Sequence, residues 1–97
     1  MPAYEWLPRF SADLDKLDPS RRAAYLASVR QFAEDLQRGG AFRQGLRVKG
    51  VQGARGVYEI TWAPDGRATF HYGQPRLPGQ PHVVWRRIGT HDIFGRP

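Results

Sequence analysis

The spacing of apolar residues changes once along the chain, near Gly45. Before Gly45, apolar side chains recur every three or four positions, which is the period of an amphipathic helix. After it they alternate with polar side chains, which is the period of a half-buried strand. The patterns predict a short first strand, two helices and then four strands. This order indicates an α+β domain with two N-terminal helices packed on a mostly antiparallel sheet of four to five strands.

The first half predicts one short strand and two helices. Tyr4, Trp6 and Leu7 form the short strand, and Phe10 to Leu17 has helical spacing. Asp18 is a suitable N-cap for the second helix, with a proline at its first helical position. Gly39-Gly40 ends this helix near residue 38. Its apolar stripe, which we expect to be core, is Tyr25, Leu26, Val29, Phe32, Ala33 and Leu36.

The second half predicts strands over 46–49, 57–62, 67–72 and 82–88, with a hairpin turn at Pro64-Asp65-Gly66. The segment Gln74 to Pro81 is rich in proline and glycine and predicts a loop. Alternation places apolar side chains on the sheet face that covers the helices. We expect the opposite face to carry Arg47, Lys49, Arg67, Thr69 and His71.

Composition narrows the class of protein. A chain of 97 residues is long enough for a single domain, 1–97, with one modest core. It has no cysteine, and its three histidines lack metal-ligand spacing, so we expect no metal site and no cofactor. No stretch is long and apolar enough for a membrane span, and the start Met1 to Trp6 lacks a signal-peptide layout, so a cytoplasmic protein is expected.

Charge is distributed unevenly. The formal net charge is +6, and the nine basic residues after Gly39 face only three acidic ones. Arginine dominates, and its guanidinium suits phosphate contacts and stacking on bases. The second half is therefore the expected face for a polyanion. A basic surface kept for solubility, or matched to an acidic protein partner, remains an alternative.

The last strand and tail contain the best candidate for acid–base chemistry. Gly89 allows the strand to break, which would place His91 at a strand end where its side chain can face a ligand. Histidine titrates near neutrality and can donate or accept a proton in catalysis. The alternative is that His91 merely ends the domain with a hydrogen bond.

The chain resembles the RelE/ParE superfamily of type II toxin–antitoxin toxins. The run from Arg87 to Gly95, RIGTHDIFG, is similar to the arginine, glycine-threonine-histidine, phenylalanine-glycine ending of YafQ-like members. The stretches GLRVK, GVYEI and GRATF resemble the family hairpin, in which an arginine opens the strand after the turn. The chain departs from many RelE-like toxins by having Glu59 and Thr61 where they place lysines.

The resemblance implies a toxin that is a metal-independent mRNA endoribonuclease, acting on the ribosome and neutralised by an antitoxin protein. It implies that His91 is catalytic, that Arg67 stabilises the phosphate and that Phe94 is the aromatic beyond the histidine. His71 is a candidate for the second acid–base group. The expected RNA-binding residues are Arg47, Lys49, Arg87 and Phe94. The alternatives are a ParE-like inhibitor of DNA gyrase without nuclease activity and a non-toxic nucleic-acid-binding domain.

Overall fold

The computed structural model describes residues 3–76 and 78–97. The strands are β1 (Ala3–Trp6), β2 (Lys49–Gly50), β3 (Tyr58–Ala63), β4 (Gly66–Tyr72) and β5 (His82–Gly89). The helices are α1 (Pro8–Asp15) and α2 (Pro19–Gln37), with 3₁₀ helices at Gln44–Leu46 and His91–Gly95. Three residues of the sequence predictions, Met1 and Pro2 at the start and Leu77 in the predicted loop, lie outside the described residues.

The sheet has five strands in the order β1-β5-β4-β3-β2. Among the described residues, β1 alone pairs in parallel, with β5, and the three other pairings are antiparallel. The predicted α+β fold, with two helices on a mostly antiparallel sheet, is therefore confirmed.

The second helix begins as its sequence predicts. The Asp18 side chain accepts a hydrogen bond from the Arg21 backbone N–H at 2.9 Å, and Pro19 occupies the first helical position. The helix ends at Gln37, and the following Gly39 and Gly40 both have positive φ.

Aromatic rings fill the space between the helices and the sheet. Phe32 from α2 is fully buried and lies 5.0 Å from Phe70 and 5.2 Å from Trp85, centroid to centroid. Phe10 and Tyr25 join this cluster from α1 and α2. The predicted core stripe is wrong at Leu26, which is 54% exposed. The predicted stripe is wider than the face of α2 that the sheet covers.

The strand predicted over 46–49 is also wrong in its first half. Residues 44–46 form a 3₁₀ helix, and Arg47 has a left-handed φ of 51°. A strand cannot pass through that conformation, so β2 begins only at Lys49. The alternation of apolar and polar residues over 46–49 therefore does not give a strand at residues 46 and 47, because Arg47 has a left-handed backbone.

Asp35 fixes the connection that leads to β2. Its carboxylate accepts hydrogen bonds from the backbone N–H of Arg43 and from two guanidinium nitrogens of the same residue, all at 2.9 Å. These bonds lower the pKa of Asp35 to about 2. They tie the end of α2 to the segment that positions Lys49.

Neither helix in the described ranges combines the length and the apolar character that crossing a bilayer requires. Residues 3–76 and 78–97 also contain no cluster of three or more histidine, aspartate or glutamate side chains suited to a metal ion.

Candidate functional site

A cleft of about 480 Å³ lies between the β2–β3 hairpin and the C-terminal 3₁₀ helix. It is lined by Lys49, Gly50, Val51, Gln52, Glu59, His91 and Phe94. A carboxylate, an ammonium group, an imidazole and an aromatic ring therefore share one concave surface, which we call the His91 cleft.

Local backbone structure carries His91 to this cleft. The strand β5 ends at Gly89, as the sequence predicts, and the side chain of Thr90 caps the 3₁₀ helix by accepting from the Asp92 backbone N–H. Ile93 is buried beneath this helix, and a Cβ at Gly89 would lie only 3.0 Å from its Cγ2 atom. The glycine thus lets the helix fold tightly back on the sheet, with His91 left exposed at its start.

Phe94 follows His91 by three residues and lies on the same side of the helix. The two rings meet edge to face, with centroids 5.5 Å apart and an interplanar angle of 75°. Phe94 is half-buried and also lines the cleft. The pair offers an acid–base group beside a surface on which a base can stack.

Glu59 is the site residue that sequence reasoning missed. It lies in β3 directly opposite Lys49, is buried, and has its Oε1 atom 3.9 Å from Lys49 Nζ. Because its neighbours Tyr58 and Ile60 pack with the core, Glu59 lies on the sheet face away from the helices. The strand alternation already placed Glu59 on that face, so the signal was present but was interpreted as a departure from the family.

Arg67 does not line the His91 cleft. It is buried, and its Nη1 atom donates to the backbone carbonyls of Ala63, Pro64 and Gly66 at 3.3, 3.3 and 2.9 Å. The guanidinium therefore satisfies carbonyls around the β3–β4 turn. Its role in stabilising phosphate stays a prediction, and it would require these bonds to break.

Arg87 is also held by the protein. Its Nε and Nη2 atoms donate to the Asp13 carboxylate at 2.6 and 3.1 Å, and its Nη1 donates to the Arg96 carbonyl at 3.0 Å. The bonds to Asp13 raise the pKa of Arg87. The Arg87 guanidinium thus joins β5 to α1 and to the C-terminal residues. A contact between Arg87 and RNA stays a prediction, and these bonds do not favour it.

Arg47 and His71 lie apart from the His91 cleft. Arg47 is exposed on the left-handed turn before β2. His71 lies on β4, on the same sheet face as Glu59. Glu59 pairs with Thr69, and His71 is two residues beyond Thr69. Its Nδ1 atom is 3.0 Å from Nη1 of Arg86.

The structure thus brings together Lys49, His91 and Phe94 of the predicted site, adds Glu59, and leaves His71 in a second cleft.

Comparisons with known proteins agree on the architecture. No family model matches the sequence, and no characterised protein is significantly similar to it in sequence. YafQ in the E. coli DinJ-YafQ toxin–antitoxin complex superposes with a TM-score of 0.66 at 16% identity, covering 95% of this chain and 94% of that one. The YoeB/ParE toxin from Agrobacterium tumefaciens gives a TM-score of 0.66 at 10% identity, covering 92% and 98%.

The RelB-RelE antitoxin–toxin complex from Methanococcus jannaschii gives a TM-score of 0.58 at 16% identity, covering 93% of each chain. All three similarities span nearly the whole of both chains, so they compare complete folds. The superpositions show that this chain shares the fold of these YafQ, YoeB/ParE and RelE toxins.

Proposed function

We propose that the protein is the toxin of a type II toxin–antitoxin system and that it cleaves mRNA in the His91 cleft without a metal ion. The observation that carries the proposal is the placement of Glu59 and His91 in one cleft beside Lys49 and an aromatic ring. A carboxylate and an imidazole are the two kinds of group that proton transfer during RNA cleavage requires.

Cleavage of this kind uses the 2′-hydroxyl of the RNA as its nucleophile. Glu59 removes the proton from that hydroxyl, and the 2′-oxygen attacks the adjacent phosphorus. His91, in its protonated form, donates a proton to the departing 5′-oxygen. The products are a 2′,3′-cyclic phosphate and a 5′-hydroxyl, so no water, cofactor or oxidant is consumed.

The surroundings of Glu59 fit the role of base. Lys49 lies opposite it on β2, with Nζ 3.9 Å from Oε1, so a base and a cation stand side by side in the cleft. The same ammonium group is 69% exposed on its strand, so it is free to approach the phosphate as negative charge develops there.

His91 and Phe94 fit the leaving-group side. His91 is exposed at the mouth of the cleft, where it can exchange protons with water between turnovers. Phe94 offers its ring to a base that has left the RNA stack, and such stacking contributes about 1–3 kcal/mol per base. It would thereby hold the scissile bond near the acid.

An antitoxin is the proposed protein partner. The supporting observations are the fold shared with proteins solved in complex with DinJ and RelB, and the net charge of +6, which an acidic segment would complement. We expect the antitoxin to be encoded beside this protein. Expression of this chain alone should arrest growth, and co-expression of the antitoxin should restore it.

The test is primer extension on cellular transcripts and supercoiling analysis of a plasmid, both made minutes after induction. The proposal predicts new 5′ ends within translated messages while supercoiling is unchanged. Intact messages with stalled gyrase complexes would support the ParE-like alternative instead. Unimpaired growth at confirmed soluble expression would contradict both toxin functions.

A further inference from the structure

A second cleft of about 380 Å³ lies on the same sheet face, toward the other end of β4. It is lined by Glu5, Leu7, His71, Gly73, Gln74, Pro75, Arg76, His82 and Val84. The strand register sets Glu5 beside Val84 and Val84 beside His71, so three adjacent strands form its floor. We call it the Glu5 cleft.

The polar groups of the Glu5 cleft are fixed by the protein. His82 is 3% exposed, and its Nε2 atom lies 2.5 Å from Glu5 Oε1. The same oxygen accepts from Arg76 at 3.3 Å. The bond from His82, strengthened by the charge of Arg76, lowers the pKa of Glu5. Glu5 is therefore an ionised acceptor, and its second oxygen, Oε2, has no hydrogen bond to the described residues.

His71 supplies a donor to the same cleft. A guanidinium has no acceptor, so the contact between Arg86 Nη1 and His71 Nδ1 requires the imidazole to accept there. Desolvation, and then the charge of Arg86, lowers the pKa of His71 and favours the neutral ring. The proton of that neutral ring is consequently on Nε2, which leaves an N–H as donor.

The cleft also has a partly apolar wall. The backbone of Gly73 passes so near the His82 ring that an added Cβ would lie 2.6 Å from its Cδ2 atom. Leu7, Pro75 and Val84 provide the apolar surface. The Nδ1 atom of the buried His82 has no partner among the described residues, which is unusual for a buried polar atom without a ligand or water.

A ligand must therefore offer donors to Glu5, acceptors to His71 and Arg76, and a flat apolar body. A phosphate offers no donor when fully ionised and would be repelled by the carboxylate. A guanine base offers all three: its N1–H or N2–H₂ can donate to the free Oε2 of Glu5, and O6 and N7 are acceptors for arginine. Unstacked bases recognised along their edges are the usual targets of proteins that bind single-stranded RNA.

We infer that the Glu5 cleft binds a guanine base of the RNA strand whose backbone is cut in the His91 cleft. The inference rests on the proposed function, since it takes single-stranded RNA as the ligand. Glu59 and His71 are diagonal neighbours on one sheet face, about 7–8 Å apart by strand geometry. A single RNA strand can therefore reach both clefts. Glu5 and Arg76 then determine base preference and take no part in proton transfer.

The experiment compares binding of two 2′-O-methylated heptanucleotides, uridine throughout except for a central guanine or adenine. The methyl groups remove the nucleophile, so binding is measured by fluorescence anisotropy whether or not the protein is a nuclease. The guanine oligonucleotide should bind about 5- to 150-fold more tightly, the range expected for about 1–3 kcal/mol of discrimination at a base edge. Glu5→Gln should abolish the preference, and Glu34→Gln, on the exposed side of α2, should retain it.

Arg76→Gln is the second variant, because Arg76 is 65% exposed and its loss should not disturb the fold. It should reduce the preference for guanine by several-fold. Equal binding of the two oligonucleotides by the parent, a preference that survives Glu5→Gln, or displacement of both by inorganic phosphate alone would each overturn the inference. Cleavage of a natural message is measured separately, so guanine preference without cleavage would refute only the nuclease, and cleavage without preference would refute only this site.

Discussion

The two clefts lie on the same sheet face, and each contains a carboxylate and at least one histidine. They differ in which groups contact those histidines. In the His91 cleft the imidazole is exposed and its protein neighbour is an aromatic edge. In the Glu5 cleft, His82 is bonded to a carboxylate and His71 to a guanidinium. A proton-transfer group must change partners during each turnover, whereas a recognition group must stay in one state. This difference is the reason why we propose catalysis in the first cleft and recognition in the second.

The largest expected effect in this comparison comes from Glu59. Glu59→Gln keeps the volume of the side chain but removes the proposed base, so the rate of RNA cleavage should fall about 100- to 10,000-fold. Cleavage is measured on message translated by purified ribosomes with a chelator present. Glu34→Gln is the matched control, and a Glu59→Gln protein that cuts at the parental rate would remove Glu59 from the mechanism.

The free energy of unfolding should depend more on the Glu5 cleft than on the His91 cleft, which is the opposite of the order expected for the cleavage rate. His82→Ala deletes a buried ring and leaves Glu5 without its main partner, so the free energy of unfolding should fall by about 1–3 kcal/mol. His91→Ala removes an exposed ring and should change it by less than about 0.5 kcal/mol. Urea denaturation of both variants tests this. Equal losses would mean that His91 is as much a structural residue as His82.

Phe94→Ala should produce a smaller effect, confined to RNA binding. Loss of one stacking contact should weaken binding of a short single-stranded RNA by about 1–3 kcal/mol, while the proton-transfer groups remain in place. At saturating RNA, the cleavage rate should therefore change much less than the affinity. A large loss of rate with unchanged affinity would show instead that Phe94 positions His91.

The smallest expected effect is a pH dependence of stability from Glu5. Because folding lowers the pKa of Glu5, chiefly through His82, its contribution is fully present above the ordinary value of 4.5 and is lost as pH falls through the folded value. The melting temperature of the parent should exceed that of Glu5→Gln at pH 7, and the gap should narrow by pH 3. A gap that widens in acid would mean that the sign of this coupling is wrong.

Sequence periodicity was sufficient for most of the fold because burial on one face is a local property of each strand and helix. It correctly placed in the core Phe32 of α2 and the alternating apolar side chains of the strands, which include Ile60 and Phe70. It failed at Arg47, where a single left-handed residue replaced a strand, and at Leu26, whose exposure depends on how far the sheet extends over α2. Both errors concern tertiary geometry that no window of sequence contains.

The candidate site was less predictable for the same reason. The C-terminal motif located His91 and Phe94, since both lie in one short segment. The register that sets Lys49 opposite Glu59, and the turn carbonyls that hold Arg67, arise only when distant strands pair. Residue type alone therefore did not indicate that turn carbonyls hold Arg67, and it overlooked the buried carboxylate of Glu59.

The most direct test of the account is the rate of chelator-resistant message cleavage by His91→Gln and His71→Gln measured side by side. The account predicts that His91→Gln loses about 100- to 10,000-fold in rate and that His71→Gln loses far less, because His71 contacts the base and transfers no proton. Parental cleavage by His91→Gln, or a greater loss for His71→Gln, would contradict the assignment of catalysis to the His91 cleft.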